Sequence, residues 1–173
     1  MKDGKLKHSV ERSIKALSLK PTLGIGTGIS KARIKNGLTC EIQEGNWRFI
    51  ADMPESIGGN AEGPTPGVYG RAAFGSCLAI GYMIMAALME IPIKTLEVEV
   101  QADYDDGALL GTSEVAPGYS EVRYTVTIES EAAEDDVLKM IEEADHHSPY
   151  LDVFSHPQNC KRKVNIISPK HHS

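Results

Sequence analysis

The chain has 173 residues, 41% hydrophobic and 24% charged, with 18 Lys and Arg against 24 Asp and Glu for a formal net charge of −6. That length suits one domain, or one domain with a terminal extension, and the composition is ordinary for a water-soluble globular protein. The acidic balance gives no general electrostatic basis for nucleic-acid binding. Residues 1–15 contain no apolar run of the secretory type, and the three cysteines, Cys40, Cys77 and Cys160, have neither metal-ligand nor C-x-x-C spacing. An odd cysteine count with no signal leads to the expectation of a reducing, cytoplasmic setting with free thiols.

In chain order, Val10, Ile14 and Leu17 recur at helical spacing among basic residues, which predicts an amphipathic helix over 7–19 closed by Pro21. Gly24, Gly26 and Gly28 follow at alternate positions. A phosphate-binding loop needs a preceding strand and a following Gly-Lys-Ser/Thr, and neither is present, so this run is expected to be a connector. Residues 1–30 thus read as an N-terminal helical arm with a Gly-rich connector, and residues 31–173 as the main domain.

From residue 31 the period changes to two. Ala32 and Ile34, then Leu38, Cys40 and Ile42, alternate with polar neighbours, and Asn36-Gly37 between them signals a hairpin. Glu44-Gly45-Asn46 marks a second turn, and a third strand starts at Trp47 and carries Arg48. A Gly- and Pro-rich loop, 53–66, leads into the run AAFGSCLAIGYMIMAALM at 72–89, which has no charged residue. Thr65 suits an N-cap acceptor, Pro66 suits the first helical position, and Pro92 ends the helix. Such a helix is apolar almost all round and is expected to be buried on every side. Its glycines and alanines, and the absence of a flanking basic belt, argue against a membrane span. Cys77, near its start, is either inert core or a reactive thiol, and this stretch leaves both open.

Beyond the helix, Leu96, Val98, Val100, Ala102 and Tyr104 alternate with polar residues, as do residues 122–128. Half-buried antiparallel strands give this pattern. Ser130 is placed to cap a helix over 131–145 with the apolar stripe Val137, Leu138, Ile141 and Ala144, followed by a short turn through Tyr150 and Phe154 and a last strand near 163–167. The order of elements predicts an α+β domain, an antiparallel sheet wrapped around central helices. A fully apolar helix in a chain this short calls for a homodimer that shares its core.

His146, His147, His156, His171 and His172 invite a metal hypothesis. Neighbouring histidines on a helix point about 100° apart and do not converge on one ion, so no metal is expected. No cofactor motif appears either. A reactive thiol needs a nearby cation. Arg71, six residues before Cys77, points about 240° around the helix from it. Arg48 would have to be brought over by the fold.

Asn46-Trp47-Arg48-Phe49, Gly58-Gly59-Asn60, Gly63-Pro64-Thr65-Pro66, Ala72-Ala73-Phe74-Gly75-Ser76-Cys77 and Ser148-Pro149-Tyr150 together resemble the OsmC/Ohr family over about residues 31–167. The resemblance implies an OsmC-like α+β fold and an intertwined homodimer with two central helices in its core. It implies that Cys77 stands at the peroxidatic cysteine and Arg48 at the arginine that stabilises its thiolate. Attack by that thiolate on an O–O bond gives a sulfenic acid. The implied function is thiol-dependent reduction of an organic hydroperoxide or peroxide, with an external thiol or dithiol as reductant. Two positions depart from the pattern. Gly67 stands where the family's active peroxidases have a glutamate that holds the arginine, and Ser148 where they have the resolving cysteine of a Cys-Pro pair. Cys160 is not at the matching position. The alternative implied by these departures is a non-catalytic scaffold that binds an apolar ligand, or senses redox state, at the dimer interface.

Overall fold

The computed structural model describes residues 3–167. Helix α1 (Asp3–Leu19) and a short 3-10 turn at Pro21–Gly24 precede three antiparallel strands, β1 (Lys31–Asn36), β2 (Thr39–Glu44) and β3 (Trp47–Ala51). The long helix α2 (Pro66–Met89) follows, then β4 (Ile93–Asp103), the short helix α3 (Asp106–Leu110), β5 (Glu121–Ser130), α4 (Glu134–His146) and α5 (Pro149–Ser155). The architecture is α+β with antiparallel strands, as expected. Within one chain the strands divide into two sheets, β1-β2-β3 and β4-β5.

Both predicted hairpin turns form. Gly37 and Gly45 each take φ of 54°, a left-handed conformation that glycine adopts without steric cost. The register places Ile34 opposite Cys40 and Ile42 opposite Phe49, while Gln43 faces Arg48. One face therefore carries Ala32, Ile34, Cys40, Ile42, Trp47 and Phe49. The other carries Lys31, Arg33, Glu41, Gln43, Arg48 and Ile50.

Asp52 joins this sheet to the loop that leads into α2. Its buried carboxylate accepts the N–H groups of Met53, Asn60 and Glu62 and the hydroxyl of Thr39. The Tyr69 hydroxyl donates to the Ile50 carbonyl at 2.7 Å. Gly63 is required here because a Cβ would lie 2.4 Å from the Ile50 carbonyl oxygen. Together these contacts pin β3 beside the N-terminal end of α2.

Helix α2 has the predicted start and stop. Thr65 occupies the N-cap, but its hydroxyl caps nothing; its carbonyl instead accepts the N–H groups of Val68 and Tyr69. Only one stripe of the helix is buried within one chain: Phe74, Leu78, Tyr82 and Ala86, at intervals of four. These residues pack with Ile91, Met140 and Ala144 and with the inward residues of β4 and β5, such as Val98, Val100, Tyr124 and Val126. Ile80 stays 61% exposed, so the expectation of burial on every side is not met by a single chain. By length and composition α2 is apolar enough to cross a membrane, but this stripe is the centre of the protein core.

Three other expectations are corrected. Ser130 is the last residue of β5, paired with Ile93, and its extended backbone cannot open a helix. Helix α4 starts at Glu134 with Ala133 as N-cap, and Ser130 Oγ instead donates to the Pro92 carbonyl and accepts the N–H of Ala132. In α4 the fully buried side chain is Met140, while Leu138 is half exposed. The last strand expected near 163–167 is irregular backbone, with Ile166 and Ile167 exposed. Helix α3 had no periodic signal; Asp105 opens it by accepting the N–H of Gly107.

Candidate functional site

Cys77 sits in the N-terminal half of α2, half-buried, beside the buried Phe74 and Leu78. Helix α5 lies against this part of α2. Its N-cap is Ser148, 8% exposed, whose Oγ accepts the N–H of Leu151 at 3.3 Å. The same Oγ is 3.9 Å from Cys77 Sγ, at the long end for a hydrogen bond involving sulfur. The fold thus brings residue 148 to the thiol across 71 positions of sequence. Phe154 of α5 stacks on Phe74, with centroids 4.6 Å apart and an interplanar angle of 18°, and the ring of Tyr119 continues the stack at 6.4 Å.

Tyr119 also links this aromatic stack to the opening of α2. Its hydroxyl donates to the Gly67 carbonyl at 3.2 Å and accepts from Arg71 Nη1 at 3.4 Å. A Cβ built on Gly67 would lie 3.3 Å from that same Nη1 and 3.5 Å from the Tyr119 hydroxyl. The glycine therefore leaves room that the Arg71 guanidinium and the tyrosine hydroxyl border. Tyr119 stands in a turn between α3 and β5 and carried no sequence signal; only the packing reveals it.

Further along the same buried stripe of α2, the Tyr82 hydroxyl and that of Tyr124 on β5 both donate to the carboxylate of Asp145, at 2.8 Å and 3.3 Å. Burial, and then the neighbouring carboxylate, push the titration of Tyr82 far above the ordinary tyrosine range. The network ties α2, β5 and α4 together close to Ser148, which donates its own N–H to the Asp145 carbonyl.

Arg48 is exposed on the polar face of the three-stranded sheet, around a shallow depression with Lys31, Arg33 and Glu41. Within one chain no hydrogen bond joins it to Cys77. Cys40 is half-buried on β2, and Cys160 is exposed in the irregular segment after α5. His146, His147 and His156 each bond through Nδ1 to the carbonyl one turn back. Among the described residues no three metal-donor side chains gather; His171 and His172 lie outside them.

The sequence matches the family described as "OsmC-like protein" over residues 58–162, more than half of the chain. The chain belongs to the OsmC-like family. No protein in the curated set matches it. Among solved structures, this OsmC-like protein is similar to the "OsmC like protein from Mycoplasma pneumoniae", with a TM-score of 0.64 and 16% identity over 75% of this chain and 88% of that one. A putative osmotic stress induced and detoxification response protein from Psychrobacter arcticus has a TM-score of 0.59 and 21% identity over 75% and 89% of the two chains. An organic hydroperoxide resistance protein OsmC from Legionella pneumophila has a TM-score of 0.54 and 16% identity over 75% and 90%. At these identities the likeness concerns the fold.

Proposed function

We propose that this protein is a single-cysteine, thiol-dependent hydroperoxide reductase, with Cys77 as the reacting group and Arg48 as its cationic partner. The observation that carries the reading is the seat of Cys77: a half-buried thiol on the core helix, with a buried hydroxyl aimed at it and an aromatic stack beside it. The thiolate attacks the distal oxygen of a hydroperoxide; the S–O bond forms as the O–O bond breaks, and the alkoxide leaves and takes up a proton. The sulfenic acid on Cys77 is then reduced by a small thiol, of the kind a reducing cytoplasm supplies. The name of the Legionella protein, organic hydroperoxide resistance, fits this substrate class.

The working unit in this reading is a homodimer. The apolar face of the three-stranded sheet leaves Ile34 60%, Trp47 71% and Phe49 42% exposed in one chain, and the outer face of α2 leaves Ile80 uncovered. Apolar faces of this extent on a water-soluble chain call for a cover, and a second copy that offers the same faces provides one. In this reading Arg48, which makes no hydrogen bond to Cys77 of its own chain, serves the thiol of the partner subunit. A second reading, a scaffold that binds an apolar ligand without catalysis, draws on Gly67, which puts no carboxylate beside Arg71.

Consumption of cumene hydroperoxide with a small thiol as reductant tests the first reading. Wild-type protein is expected to turn it over and Cys77→Ser to fall to background. Equal turnover by the two would remove Cys77 from the chemistry and leave the scaffold reading.

A further inference from the structure

We propose that Ser148 is a positioning residue for Cys77: its hydroxyl donates to the sulfur and holds the sulfenic acid open, so that reduction passes through a mixed disulfide with a small external thiol. The inference rests on the reading of Cys77 as the reacting thiol. It follows from the valences of one buried hydroxyl. Ser148 is 8% exposed, so its hydroxyl depends mainly on protein partners. Its oxygen accepts the N–H of Leu151, and its one proton still needs an acceptor. The other side-chain atom within hydrogen-bonding reach is Cys77 Sγ at 3.9 Å. Stacking of Phe154 on Phe74 docks the helix that Ser148 caps against the core helix and keeps residue 148 beside Cys77.

A donor aimed at the sulfur stabilises the negative charge that the sulfur carries when it attacks, and after attack the same proton serves the sulfenic oxygen. A serine has no sulfur with which to close an S–S bond to Cys77. The sulfenic acid therefore persists until a thiol of class R′SH condenses with it: the S–S bond forms and water leaves. A second R′SH attacks the mixed disulfide, releasing R′SSR′ and restoring the Cys77 thiol.

The test uses the full chain carrying Cys40→Ser and Cys160→Ser, cumene hydroperoxide as oxidant, dimedone as the sulfenic-acid trap and intact-mass spectrometry. Ser148 itself is kept, or changed to Thr, Gly, Ala or Cys. With Ser148 or Ser148→Thr, Cys77 is expected to give the dimedone adduct. Ser148→Ala and Ser148→Gly are expected to slow Cys77 oxidation about tenfold, the weight of one hydrogen bond to a charged group. Glycine caps a helix nearly as well as serine, so the Gly variant separates the lost proton from a lost cap. Ser148→Cys is expected to lose about two mass units on oxidation, as its new thiol closes a disulfide with Cys77, and to give no adduct. Equal oxidation rates and adduct yields with serine, alanine and glycine at 148 overturn this proposal and leave the peroxidase reading standing. Absence of Cys77 oxidation in every variant overturns both.

Discussion

Phe74 and Phe154 stack face to face, 4.6 Å between centroids, and this contact docks α5 on the core helix. Phe74 is 1% exposed and meets Tyr124 edge-on at 5.5 Å on another side, so it cannot move without disturbing β5. The rigid ring is thus the platform on which the shorter helix rests, and Ser148 reaches Cys77 because of it.

Phe154→Ala is expected to destabilise the protein by about 2 kcal/mol, since the ring is only partly buried and a fully buried one costs more. The larger effect is local. With α5 released, Cys77 should react with iodoacetamide several-fold faster while Cys40 keeps its rate. Unchanged labelling of Cys77 would mean that α5 does not shield the thiol.

Gly67→Glu places a carboxylate at the second position of α2. Its Cβ would sit 3.3 Å from Arg71 Nη1, a flexible group that yields easily. Removing a helical glycine, placing an acid in the first turn and pairing it with a guanidinium all act in the same direction. The variant is expected to gain about 1 kcal/mol in denaturant unfolding. A loss of stability would show that the Tyr119–Arg71 contact does not make room for the new side chain.

Asp52 predicts the acid limit. Burial alone would raise its titration, but the N–H groups of Met53, Glu62 and Asn60 and the hydroxyl of Thr39 outweigh burial and hold it below the ordinary 3.8. A depressed carboxylate contributes stability above its unfolded value, and that stability is lost as pH falls through the folded one. The melting temperature of wild type should therefore decline as pH drops below about 4. Asp52→Asn should melt lower at pH 7, with a weaker decline in acid. Parallel acid profiles for the two proteins would assign the acid limit to other groups.

The exposed indole of Trp47 tests the proposed dimer. Wild type is expected to elute with twice the monomer mass by light scattering, and Trp47→Lys to shift towards monomer and lose hydroperoxide turnover. Co-expression of Cys77→Ser chains with Arg48→Ala chains should recover activity that neither has alone if the arginine acts across the interface. No recovery, with dimers intact, would place Arg48 outside the site.

Much was legible in the sequence because it depends on local chemistry. Period-two alternation, Asn36-Gly37 and Glu44-Gly45 fixed the first three strands, for a glycine that turns left-handed serves wherever the chain is. Pro66 and Pro92 bounded α2 because a missing N–H acts within one helical turn. Ser130 misled for the reverse reason: capping preference is weak, and the ladder between β4 and β5 held its backbone extended. Residues 163–167 alternate like a strand, yet a strand exists only where another edge accepts it.

By itself the sequence determined the α+β class, the first three strands, the apolar core helix and the thiol upon it, since each follows from residue type and spacing along the chain. Only the tertiary structure decided that Ser148 lies beside Cys77, that Tyr119 joins Arg71 to Gly67, and that Arg48 is exposed on the sheet with no hydrogen bond to the thiol of its own chain. Contacts between residues far apart in sequence depend on how helices and sheets dock. Docking is set by the shapes of many side chains packed at once, and no single spacing along the chain records it.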